Sequence, residues 1–245
     1  MIPYSIFLVV SGLAISLAER LWPRDASQRL VRQGFFLDLF YLFFNAEIVG
    51  AVVASLLARS FPQQPILAWR ESVGLGVIGL WPVWAQALVL LVVKDFLQYN
   101  IHRSMHRFGW LWRFHKTHHS STQLDWLSNW RFHWVEIFVY QLVLYIPANM
   151  LGFSAEASYA CAVISTTAGH FAHANLNVHL GPLNYLINSP ELHTWHHVHP
   201  DHGPQDRNFA ITFSLWDWLF GTAYWPAQLP ARLGLKTEEP RRANV

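Results

Sequence analysis

The sequence predicts an all-α fold, a multi-pass transmembrane helical bundle with a cytosolic helical cap in which histidines gather. Two observations predict it. The 245 residues are 53% hydrophobic and only 13% charged, and their long apolar runs exceed what one soluble domain of this size can bury. Eight of the fourteen histidines fall into three tight groups, His102/His106, His115/His118/His119 and His193/His196/His197, with a looser pair, His170/His173. Spacings of three and four set side chains on one face of an α-helix.

In chain order, residues 2–18 are apolar and end at Glu19-Arg20, which predicts a first spanning helix. Ser16-Leu17-Ala18 resembles a cleavage site, so a signal peptide is the alternative, although no basic segment opens the chain. Residues 35–57 predict a second helix, and 73–97, with Pro82 inside, a third. Gly74-Leu75-Gly76-Val77-Ile78-Gly79 within that run matches the dinucleotide pattern GxGxxG, but no strand precedes it, so it reads as small residues for helix packing. Apolar stretches at 135–151 and 157–173, separated by Gly152-Phe153-Ser154, predict a hairpin that dips into or crosses the bilayer. The expected division is thus 1–97 as N-terminal transmembrane helices, 98–225 as a histidine-rich region including the hairpin at about 135–173, and 226–245 as a tail. Pro230, Glu238, Glu239 and Pro240 mark that tail as loose.

Charge sets the orientation. Arg20, Arg24, Arg29 and Arg32 follow the first helix, and Arg103, Arg107, Arg113, Lys116 and Arg131 follow the third, against Arg59 and Arg70 between the second and third. The positive-inside rule then puts the histidine groups on the cytoplasmic side. A net charge of +2 with scattered basic residues gives nucleic-acid binding no support. Cys161 has no partner for a disulfide or a cysteine zinc site.

At this histidine frequency HxxHH should occur by chance roughly 0.05 times in such a chain, yet it occurs at His115 and again at His193. Ten idle buried imidazoles would cost roughly 10 to 30 kcal/mol, more than a fold's usual net stability. Metal ligation resolves the cost: imidazole binds zinc, copper, nickel and iron, and HxxHH offers three rings together. Eight to ten nitrogens exceed one ion's coordination and imply two metals. His179, His199 and His202 lack the spacing and read as solvated surface residues. Asp95, Tyr99, His102 and His106 share one helical stripe, so Asp95 either supports a ligand or pairs with Lys94. Trp110, Trp112, Trp126 and Trp130 read as an interfacial belt.

The segments Asp95-Phe-Leu-Gln-Tyr-Asn-Ile-His102-Arg-Ser-Met-His106, Trp112-Arg-Phe-His115-Lys-Thr-His118-His119, Ser189-Pro190-Glu-Leu-His193-Thr-Trp-His196-His197, and Asn208 with Trp216-Asp217-Trp-Leu-Phe-Gly221-Thr222 give the chain a family likeness. It resembles the fatty acid hydroxylase/sterol desaturase superfamily of membrane-bound non-haem di-iron enzymes. The resemblance implies metal ligands at His102, His106, His115, His118, His119, His193, His196 and His197, completed by His173 and His170. Asp95, Glu136, Asn175, Asn208 and Asp217 would support them. Where many members show H-P-x-E, this chain has His133-Trp134-Val135-Glu136, and His133 is expected to be structural or to support a ligand rather than to bind metal itself. The resemblance also implies two iron ions, with zinc a possible occupant, O2, a lipid substrate such as a fatty acyl, sterol or alkyl-ether lipid, and hydroxylation or desaturation. Electrons would come from a separate ferredoxin, cytochrome b5 or reductase. The expected location is a bacterial inner membrane or the endoplasmic reticulum. A membrane metal transporter or sensor, or a zinc-dependent membrane hydrolase, are the alternatives.

Overall fold

The computed structural model describes residues 2–61, 63–73 and 75–236. Among these residues there are ten α-helices and no strand, only two isolated bridges. The fold is all-helical, as the sequence predicts. Glu238, Glu239 and Pro240 of the expected tail lie outside the described residues.

Helix α1 (Tyr4–Leu21), the continuous helix Phe35–Ser60 and α7 (Trp134–Leu151) are long and apolar enough to cross a membrane. On α1, Ile6, Val9, Val10, Leu13 and Leu17 are exposed, a face suited to lipid rather than water. The opposite face is docked. A Cβ on Gly12 would lie 2.5 Å from the Trp126 ring, the Trp126 indole N–H donates to Ser16 Oγ at 2.6 Å, and Glu19 accepts the backbone N–H groups of Trp126 and Asn175. Helix Phe35–Ser60 runs from α2 (Phe35–Phe43) through a π-helical turn, Phe44–Val49, into α3 (Gly50–Ser60). Asn45 sits in that turn and donates to the carbonyls of Trp130 and Phe132. A π-turn lets one residue bulge inward without ending the helix.

The third apolar run is not one helix. Residues Leu75–Leu80 form a 3-10 turn, and α5 (Val83–Arg107) starts only after Pro82. Proline lacks the N–H that a continuing helix needs and disfavours helical geometry in the residue before it, but suits a helix start. Of the glycine pattern, Gly74 lies outside the described residues, and Gly79 packs close to the Gly152 carbonyl. Short α4 (Gln63–Ser72) precedes this turn.

Helix α5 packs centrally against α6 (Gly109–His119), α7 and α8 (Ala155–His173). It buries Leu90 and Leu91 against Ala148, Phe153 and Cys161. Helix α7 ends because Gly152 adopts a left-handed φ of 82°, which glycine accepts without strain. Ser154 then caps α8, its Oγ accepting the Ala157 N–H, while its own N–H donates to Gln86 Oε1 at 2.8 Å. Two short helices close the structure, α9 (Pro190–His196) and α10 (Leu215–Leu219).

Buried ion pairs lock the loop ahead of α2 to the segment before α7. Arg32 pairs with Asp38 at 2.6 Å and with Asp125, and Arg131 pairs with Asp38. Gly34, at φ 84°, sits where a Cβ would meet the Arg131 guanidinium at 2.4 Å. Both conformation and space therefore demand glycine.

Candidate metal centre

Four helices bring the histidines together: α5 carries His102 and His106, α6 carries His115, His118 and His119, α8 carries His173, and α9 with its C-cap carries His193, His196 and His197. They form two groups, His102/His106/His115/His119/His196 and His118/His173/His193/His197, whose ligand atoms lie within 4.8 Å of one another in each group. All nine are buried. Each HxxHH segment is divided rather than offering its three rings to one group. The i, i+4 pair stays together, and the ring at i+3 turns to the neighbouring group. The reason is helical geometry, since residues four apart differ by about 40° around the axis whereas the last two differ by about 100°.

The nitrogens that face one another are Nε2 atoms. In the first group His102–His115 is 2.9 Å, His106–His119 3.1 Å and His115–His119 3.2 Å. In the second His118–His173 and His173–His193 are 3.1 Å and His193–His197 3.2 Å. Two nitrogens bound at about 2.0–2.1 Å to one ion, about 90–110° apart, would be separated by about 2.9–3.4 Å.

The opposite ring nitrogens fix the tautomers. Nδ1 of His102 donates to Phe209 O at 2.6 Å, Nδ1 of His196 to Arg207 O at 2.8 Å, and Nδ1 of His173 to Gly169 O at 2.9 Å. A carbonyl can only accept, so each of these rings turns an Nε2 lone pair inward. His196 Nε2 is buried without a hydrogen-bond partner. Burial first, and the crowd of neighbouring imidazoles second, holds His118, His119 and His193 well below the ordinary histidine range. Neutral rings with converging lone pairs fit a metal ion.

The supporting residues act in different ways. Glu136 faces His115 Nδ1 at 2.6 Å, the carboxylate–histidine arrangement that raises ligand basicity. Asp206 faces His106 Nδ1 at 3.1 Å; sequence reasoning missed it. Asp206 and Asn208 hold left-handed φ values of 61° and 54°, and the chain alternating between them aims the Arg207 and Phe209 carbonyls at two histidines. Asn208 pins this loop, donating to Leu192 O and Tyr224 O. Asp217 accepts the Phe209 and Ala210 N–H groups at 2.8 and 2.9 Å. Burial pushes Asp217 up to about 6. Asp95 reaches no histidine and makes no ion pair with Lys94 among the described residues; it accepts the Thr212 and Phe213 N–H groups and the Trp216 indole N–H. Asn175 ties α8 to Asp25.

The remaining histidines and the tryptophans have varied surroundings. His170 stands outside both groups, its Nε2 accepting the Trp130 indole N–H at 2.8 Å. His133 caps α7, its Nδ1 accepting the Val135 N–H. The tryptophans do not form one belt: Trp110 is exposed, but Trp112 is buried against His106 and His119, and Trp126 and Trp130 pack on His170. His179 and His202 are exposed as expected, whereas His199 is buried, because its backbone pairs with Arg232 under the returning C-terminal segment.

A family model described as fatty acid hydroxylase matches residues 87–222, more than half of the chain. The chain belongs to the fatty acid hydroxylase family. All nine grouped histidines of this fatty acid hydroxylase family member lie inside the matched segment. It is 28% identical to an ornithine lipid hydroxylase, OlsE, of Rhizobium tropici, over 86% of this chain and 64% of that protein. It is 27% identical to an alkylglycerol monooxygenase of Xenopus tropicalis, over 69% of this chain and 40% of the relative. It is 27% identical to methylsterol monooxygenase 1-3 of Arabidopsis thaliana, over 70% and 58%. The chain spans less than two-thirds of each of these relatives. No solved structure matches it. Family and apolar helices together make it a membrane protein.

Proposed function

We propose that this chain is a multi-pass membrane di-iron oxidoreductase that hydroxylates or desaturates a lipid with O2 and electrons from a separate donor protein. The observation that carries the reading is the pair of adjoining groups of five and four buried imidazoles, opening on a cavity of about 150 Å³ lined by His102, His115, His118, His173 and His193. Relatives named for ornithine lipid, alkylglycerol and methylsterol support a lipid substrate. Five facing imidazoles exceed the four ligands at which zinc usually closes, which favours iron. A transporter would string polar ligands across the bilayer, whereas these gather in one place.

Bound iron would supply the activation of O2 needed to attack an unactivated C–H bond. The ligands proposed for it are the nine grouped histidines. Glu136 and Asp206 orient His115 and His106, and the carbonyls of Gly169, Arg207 and Phe209 orient three more rings. Phe132, Ile137, Ala172 and Ile211 give the cavity an apolar wall that suits an alkyl segment and excludes water. The basic residues flanking the apolar runs support a cytoplasmic site, within reach of a ferredoxin, cytochrome b5 or reductase. Residues 98–225 would then be the catalytic region.

Protein purified without oxygen should carry iron in both groups and, given a reductant, consume O2 as it oxidises lipid. Comparing lipids of cells with and without the chain identifies the product. Zinc in both groups with lipid hydrolysis, or an unchanged lipid profile, would overturn the reading.

A further inference from the structure

Beyond the histidines, α5 places Lys94 where its hydrogen-bond partner is a neutral amide and the Asp95 carboxylate acts on it only through space. Lys94 is only 6% exposed. Its one hydrogen bond is from Nζ to Gln98 Oε1 at 2.8 Å, and it makes no ion pair among the described residues. The neighbouring Asp95 is turned away and holds three N–H donors of residues 212–216. A buried ammonium with spare donors is unfavourable until something pairs with it.

Its position says what could. The cavity beside the histidines and a larger one of about 410 Å³ share seven wall residues, Lys94, Gln98, Tyr140 and Ser165 among them. These residues therefore stand where the two cavities adjoin. The larger cavity lies among α1, Phe35–Ser60, α7 and α8, and its wall includes Ala46, Gly50, Ala54 and Leu144, apolar surface fit for a hydrocarbon chain. Among the described residues, no Asp or Glu lines either cavity. Ser165, in the wall of both cavities, has the Cys161 thiol as its side-chain neighbour.

We propose that Lys94 binds an anionic oxygen group of the lipid substrate, a carboxylate or a phosphate, where the two cavities adjoin. It thereby selects lipids bearing that group and sets which part of the molecule enters the histidine chamber. This rests on the proposed function, whose substrate class it names.

The test measures binding to the metal-loaded full chain in detergent, by tryptophan fluorescence, of oleic acid, dioleoyl phosphatidic acid and neutral dioleoylglycerol. Wild type should prefer at least one anionic lipid over the neutral one by about tenfold, the scale of a charged hydrogen bond. The oleic acid and phosphatidic acid arms tell carboxylate from phosphate. K94M should abolish the preference and K94R should keep it, with metal content confirming that each variant is folded; K94Q replaces K94M if that variant loses its metal. A wild type with no preference, or a K94M that retains it, overturns the proposal. Failure to oxidise any lipid while the preference persists would defeat the proposed function instead.

Discussion

Asp217 and His102 are coupled through one residue, Phe209: the Asp217 carboxylate accepts the Phe209 N–H at 2.8 Å, and the Phe209 carbonyl accepts the His102 Nδ1–H at 2.6 Å. Thr222 and Tyr99 extend the chain of contacts, with Thr222 Oγ1 donating to Asp217 and bonded to the Tyr99 hydroxyl. A tail motif far from the helix bearing His102 thus sets the angle of its imidazole.

Replacing Asp217 by Asn removes one of two acceptor oxygens and frees the Phe209 peptide to rotate. Metal affinity or turnover should fall about 10- to 100-fold, the usual effect of losing a residue that orients a ligand. Metal retained against a graded chelator is the measurement, and unchanged retention would refute the coupling.

His173 belongs to the four-histidine group alone. His173→Ala should lower metal from about two ions per chain to about one, whereas His196→Ala should weaken the other ion. Elemental analysis of both variants distinguishes two separable sites from one merged site, in which either change would empty everything.

Glu136 and His133 sit three residues apart with different duties. Glu136→Gln should loosen metal about 10- to 100-fold by depriving His115 of its carboxylate. His133→Ala removes a helix cap and should cost about 0.5–2 kcal/mol of stability while metal content holds. Thermal melting and metal analysis run on both variants separate the two effects.

His170 tests the boundary of the site. Because its Nε2 accepts the Trp130 indole, His170→Ala should leave metal stoichiometry intact and cost about 1–3 kcal/mol for the buried donor left unpaired. A loss of bound metal would show that His170 serves as a ligand.

Gly34→Ala should destabilise the protein by at least about 1–2 kcal/mol through its left-handed backbone alone, with the clash against Arg131 adding to this. A melting temperature equal to wild type would contradict that account.

The helices were legible wherever local chemistry dictated them. Apolar runs of membrane length marked α1 and Phe35–Ser60, and Gly152 with Ser154 marked the break between α7 and α8. Pro82 was visible too, yet hydropathy averaged across it and merged a 3-10 turn with α5. The tryptophans misled because an indole at a membrane edge and an indole packed on an imidazole have the same composition. His199 misled because its burial comes from Arg232, thirty-three positions on.

Spacing by itself determined that histidines would recur along single helices at intervals suited to shared ligation, because a 3.6-residue helical period is a local property. Which rings meet was decided only by the crossing of α5, α6, α8 and α9, which splits each HxxHH between two groups. The orienting carbonyls of Gly169, Arg207 and Phe209 also belong to the tertiary structure. A backbone carbonyl is present in every residue and leaves no mark in the sequence; only the folded path of the chain gives it a direction.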